Sequence, residues 1–140
     1  NHQKLWDITF EELGKFLPNE DAKAATKAKL DGFAAAYGTI LFFEDHDVVK
    51  GLQEQFPSYA DNFPLWSEQS TGIASFAVWN ALAEAGVGAN IQHYNPLIDE
   101  KVAKEWNIPS NLVLRAQMPF GEIVGAAAPI ERKARVRVVK

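Results

Sequence analysis

Residues 56–99, FPSYADNFPLWSEQSTGIASFAVWNALAEAGVGANIQHYNPLID, carry the pattern from which the rest of the chain can be read. Phe56 to Trp66 is aromatic and broken by Pro57 and Pro64. Proline lacks the N–H that a helix interior needs, so this stretch predicts a loop or broken helix. Ser67 to Ala85 reads as helix, and from Ile73 to Ala85 only Ser75, Asn80 and Glu84 are polar. A helix apolar nearly all round belongs in the centre of a domain or in a dimer interface. Gly86 and Gly88 end it, because glycine tolerates the backbone angles of a helix stop. Ala89 to Tyr94 then reads as a strand leading to Asn95-Pro96.

Toward the N-terminus, Leu5, Trp6, Ile8, Leu13, Phe16 and Leu17 recur at helical spacing until Pro18-Asn19. Ala22 to Ala36 predicts a second helix, with Leu30, Phe33 and Tyr37 as its apolar stripe. Thr39 to Phe43 is a continuous apolar run suited to a strand buried on both faces; the charged Glu44-Asp45-His46-Asp47 closes it, and Asp45-His46-Asp47 reads as an exposed strand-end loop. Val48 to Gln55 predicts a short helix. Toward the C-terminus, Leu97 to Trp106 reads as a helix and Leu112 to Phe120 as a strand. A Gly/Ala/Pro loop follows, and Val136, Val138 and Val139 suit a last strand. The order implies an α+β fold in which a four-strand sheet is covered by helices, with residues 1–140 forming one domain without internal repeats. Several helices are too apolar to face water, so an obligate dimer is expected.

The chain has no cysteine, which removes disulfides and thiolate metal sites and is compatible with a reducing cytoplasm, the location expected here. No apolar run approaches the roughly 18 residues needed to cross a bilayer. Net charge is −4, yet the last twelve residues carry +4 and leave −8 for the rest. An acidic body argues against a nucleic-acid partner, whereas the basic end suits one small anionic group or is simply a solvated terminus.

His2, His46 and His93 are far apart and form no metal-binding motif. Gly86-Val87-Gly88 follows a helix and lacks the third glycine of a dinucleotide loop, and no phosphate loop or hydrolase nucleophile motif is present. Two features stand out. Ile91-Gln92-His93-Tyr94-Asn95-Pro96 places polar side chains directly after the most apolar helix; a purely structural account makes Gln92 and Tyr94 hydrogen-bonded core residues and His93 a solvent-facing neighbour. Arg135-Val136-Arg137 puts two guanidinium groups on one face of a strand, which suits either a phosphate or an edge strand protected from aggregation.

Read together, GTILFFED, the run from Lys50 to Pro109 and LRAQMPFG resemble the nitroreductase-like flavoproteins, in the subgroup of small fatty-acid-repression-like oxidoreductases. The resemblance covers most of the chain from Trp6 onward. It implies a three-layer α+β sandwich, a homodimer with FMN at the subunit interface, and a C-terminal strand exchanged with the partner. The implied activity is NAD(P)H-dependent two-electron reduction of nitroaromatics, quinones or related acceptors by a ping-pong route, with no catalytic acid required from the protein. By the same resemblance Ile91, Gln92, His93 and Tyr94 lie against the flavin ring, with backbone amides and the Gln92 side chain near its reactive edge. Arg135 and Arg137 take the positions of the family's basic pair at the FMN phosphate, and Phe56, Tyr59, Phe63 and Trp66 correspond to the region covering the substrate pocket. The family's N-terminal Arg-Arg-Ser/Thr helix and Ser-Pro-Ser/Asn segment have no counterpart in this sequence, so Asn1 is expected to align after both. A flavin-free regulatory protein on the same fold is the alternative function, and a small binding module for an apolar ligand a third.

Overall fold

The computed structural model describes residues 1–126 and 128–131. The expected last strand at Val136–Val139, together with Arg135 and Arg137, lies outside the described residues. The chain begins with two helices, α1 (His2–Gly14) and α2 (Glu20–Ala34), followed by strand β1 (Gly38–Asp45). Helix α3 (His46–Gln55) leads through a 3₁₀ turn (Pro57–Asn62) into the long helix α4 (Phe63–Glu84). A two-residue strand β2 (Gly88–Ala89), helix α5 (Asp99–Trp106) and strand β3 (Leu112–Gly121) complete the order.

Short-range chemistry explains most boundaries. Asn19 caps α2 by accepting from the Ala22 N–H at 2.8 Å, and Asp45 caps α3 by accepting from the Asp47 N–H at 3.0 Å. Helix α4 starts four residues earlier than expected because Pro64 falls in its first turn, where no N–H partner is needed. Gly86 takes φ 73° just beyond the end of α4, and Asn107 ends α5 in the left-handed region.

The sheet is antiparallel with strand order β1-β3-β2. β1 and β3 pair along their length, from Gly38 opposite Phe120 to Asp45 opposite Leu112. Between them the register steps from Phe42 opposite Ala116 to Phe43 opposite Leu114, so β3 carries one extra residue there, Arg115. The expected strand Ala89–Tyr94 is regular only at Gly88–Ala89; beyond it a single bridge joins Gln92 to Gln117.

The bulge divides the buried side chains of β3. Leu114 joins Leu5, Trp6, Ile8, Leu30, Ile98 and Val102 in a core formed with α1, α2 and α5, against which Leu41, Phe43 and Tyr94 pack. Ala116 and Met118, equally buried, lie outside that cluster opposite Phe42 and Ile40. Phe42 in turn shares a groove with α3 and α4. Helices therefore cover both faces of the sheet. The close approach at its edge requires glycine: a Cβ on Gly121 would stand 2.9 Å from the Tyr37 backbone nitrogen.

Of the two settings expected for the apolar helix, the centre of the domain or a dimer interface, the described chain does not supply the first. Helix α4 is not enclosed by the described chain; Ser75 is its single buried residue, while Ile73 is 70% and Phe76 65% exposed. Its sequence is apolar on every side, but the sheet can cover only one of them. Among the described residues no helix is long and apolar enough to cross a membrane.

Candidate functional site

Residues 90–95 run beside β3 as an irregular edge. The N–H groups of Asn90 and Gln92 donate to the carbonyls of Pro119 at 3.0 Å and Gln117 at 2.7 Å, and the Tyr94 N–H donates to the Gln117 side-chain Oε1 at 2.8 Å. Alternation in extended backbone turns the intervening N–H groups the other way. Among the described residues, those of Ile91 and His93 have no acceptor. The result is a short strip with two outward donors. His93 is exposed, with its ring Nδ1 3.0 Å from the Arg115 carbonyl oxygen. Gln92 turns its amide back onto the Asn90 side chain and the Ile91 carbonyl. Tyr94 points its ring into the core, edge-on to Trp6 at 6.1 Å between centroids. Ala89 and Asn90 also line a hollow of about 790 Å³ with Ala36, Phe120 and Ile123, a size within the range of about 300–1,000 Å³ usual for ligand sites.

The four aromatic residues expected over the substrate form one cluster. Phe63 meets Trp66 edge-on at 5.3 Å between ring centroids, and Phe56 packs tilted against Phe63 and Tyr59 against Trp66, at 6.3 Å each. Phe63 and Trp66 line a groove of about 540 Å³ with Phe42, Val48, Val49 and Leu52, while Phe56 and Tyr59 sit outside it. Its walls are apolar, apart from Glu44, Asp45 and the small hydroxyls Ser67, Ser70 and Thr71. A flat aromatic molecule suits such a wall.

A charge network that sequence reasoning missed joins the groove to the strip. Glu44, the first of the charged residues closing the apolar run, is 5% exposed and belongs to β1. The next residues depart from the loop expectation, with Asp45 closing the strand and His46 opening α3. Glu44 accepts from Arg115 Nε at 2.9 Å and also from Nη2 of the same guanidinium, and its Oε2 lies 3.0 Å from His46 Nε2. Arg115 Nη2 is 2.9 Å from Glu68 of α4. Burial works against ionisation of Glu44, but hydrogen bonds from Ser67 and Arg115, the Arg115 charge and His46 outweigh it and hold the carboxyl below its ordinary value. The bulge re-aims Arg115: its guanidinium reaches Glu44 and Glu68, and its carbonyl serves His93. The sequence signal for this was faint, namely two polar residues, Arg115 and Gln117, inside an otherwise apolar strand.

The fold and this arrangement define an α+β protein with an irregular sheet edge and an apolar groove, and comparison with known proteins narrows the class. The model of the nitroreductase family matches residues 2–122. The chain superposes on the nitroreductase CinD from Lactococcus lactis in complex with chloramphenicol with a TM-score of 0.87 and 56% identity, covering 99% of this chain and 71% of that one. On the same protein in complex with 4-nitrophenol the TM-score is 0.85 at 57% identity, with the same coverage. It is also 33% identical over 131 residues to the nitroreductase FRM2 of Saccharomyces cerevisiae, covering 94% of this chain. The chain spans 62% of the length of the yeast relatives it matches. This chain belongs to the nitroreductase family and has its α+β fold.

Proposed function

We propose that this chain belongs to an FMN-dependent NAD(P)H oxidoreductase that reduces nitroaromatic, quinone or similar acceptors by a ping-pong route, as a cytoplasmic homodimer. The observation that carries the reading is the strip of outward donors at Ile91 and His93 on the sheet edge. One side of an oxidised flavin ring presents a bare ring nitrogen beside a carbonyl oxygen, both acceptors, so outward N–H groups on the strip match that side in chemistry. FMN, when bound, supplies reversible two-electron storage between the nicotinamide and the acceptor. The protein's own part is orientation. Ile91 and His93 would hold the ring by backbone donors, and Arg135 and Arg137 would bind the phosphate by charge-assisted hydrogen bonds. Phe63 and Trp66 would stack the acceptor in the groove, with Phe56 and Tyr59 fixing their rings from outside. That solved complexes of a relative contain chloramphenicol and 4-nitrophenol supports the acceptor class.

The homodimer rests on α4. Its exposed Leu65, Ile73 and Phe76 make an apolar surface that a monomer in water rarely leaves open. The test of function is the visible absorption spectrum of the purified protein with FMN added, followed by reduction with NAD(P)H. Flavin bands that bleach with NAD(P)H and return with a nitroaromatic are expected. Absence of bound flavin overturns the reading and favours a flavin-free regulatory protein on the same fold.

A further inference from the structure

Gln117 is wholly buried in the middle of β3, where an amide is costly unless both its ends are used. The ladder beside it is incomplete. In regular antiparallel pairing the Tyr94 N–H would donate to the carbonyl two residues before Gln117, that of Arg115. Arg115 is the extra residue of the bulge, and its carbonyl is instead engaged by the His93 ring. The Gln117 side chain fills the missing place. Its Oε1 accepts from the Tyr94 N–H at 2.8 Å, and its Nε2 reaches Asn95 Oδ1 at 3.4 Å. With the backbone pair to Gln92 at 2.7 and 2.9 Å, one residue thus supplies all the polar anchorage of the strip from Gln92 to Asn95 to β3, apart from the His93 ring.

We propose that Gln117 is a positioning residue for the cofactor edge: its buried amide keeps Gln92–Tyr94 extended, so that the Ile91 and His93 N–H groups face outward in parallel. The inference rests on the reading that this strip meets the flavin. Substitution by Met keeps length and volume but removes the acceptor, leaving the Tyr94 N–H buried without a partner and the strip free to rotate. Substitution by Glu keeps an acceptor for that N–H.

The experiment compares wild type, Gln117→Met and Gln117→Glu. In flavin-free protein the Tyr94 amide should exchange with solvent at least about tenfold faster in Gln117→Met than in wild type, because its hydrogen bond is gone. In FMN-loaded protein the same variant should lose the shift of the flavin bands relative to free FMN. Its kcat for NAD(P)H oxidation should fall by about tenfold or more with KM nearly unchanged, as expected when orientation rather than binding is lost. Gln117→Glu should recover Tyr94 protection and part of the spectrum. Wild-type exchange, spectrum and kcat in a folded Gln117→Met overturn the proposal. If Gln117→Met does not fold, Gln117→Glu decides alone: Tyr94 protection retained together with a wild-type band position supports it, and protection lost with an unchanged band position overturns it. A wild type that binds no FMN overturns the functional reading instead, a distinct result.

Discussion

The Glu44–Arg115 pair shows how far a residue's role can lie from its sequence context. Four ionisable residues in a row, Glu44 to Asp47, have the look of a solvated turn, and nothing nearby marks the first of them as buried. Its partner is 71 positions away and is aimed by a bulge that only strand pairing creates. The same holds for Gln117, whose amide matters because of a gap in the ladder. By contrast the polarity of residues 91–95 was visible directly, because polar side chains after an apolar helix need no partner to be noticed. The Glu44 carboxyl titrates below its ordinary value of 4.5, so the unfolded chain takes up its proton at higher pH than the folded chain. The stability it contributes is present above pH 4.5 and is lost as pH falls through the lowered folded value. Glu44→Gln is expected to cost roughly 1.5–3 kcal/mol at neutral pH, the usual worth of a hydrogen bond to a charged group. Thermal melts from pH 7 to pH 3 should show the gap between the two proteins closing on the acid side; a constant gap would contradict the assignment.

At the level of elements, helices were legible where caps and periodicity agreed, as in α2 and α5, and β1 and β3 where apolar runs were long. Strand β2 was not, since its predicted second half is held by a single backbone bridge at Gln92 and by a side chain at Tyr94 instead of a continuous ladder. The helices cover both faces of β1, as its apolar run implies, yet most of its residues stay only half-buried. The turn from α2 into β1 passes so near the end of β3 that Gly121 has no room for a methyl group. Because the atom it would strike belongs to the Tyr37 backbone, no side-chain rotation relieves the clash. Gly121→Ala is expected to destabilise by about 1–3 kcal/mol, the usual cost of overpacking. Urea unfolding should place its midpoint below that of wild type, whereas Gly32→Ala, in open space within α2, should leave the midpoint unchanged or raise it.

Taken as a whole, the described residues keep the family's layered fold while leaving their most apolar helix, α4, largely uncovered. An all-round apolar pattern told of burial but not by what. If a second copy covers α4, replacing Ile73 and Phe76 together by Glu should turn a dimer into a monomer in sedimentation at equal concentration, with the fold of each chain retained. An unchanged sedimentation coefficient would place the interface elsewhere. The extra residue in β3 also bears on how this chain is set beside its relatives. Residues two apart in a strand normally share a side, but Leu114 and Ala116 do not, because Arg115 slips the alternation by half a period. An alignment or graft that deletes one position here would preserve every neighbour in sequence while exchanging the inner and outer identities of half the strand. The single inserted position therefore acts as a phase marker, and gap placement at Arg115 decides whether a homologue's β3 is read right side in.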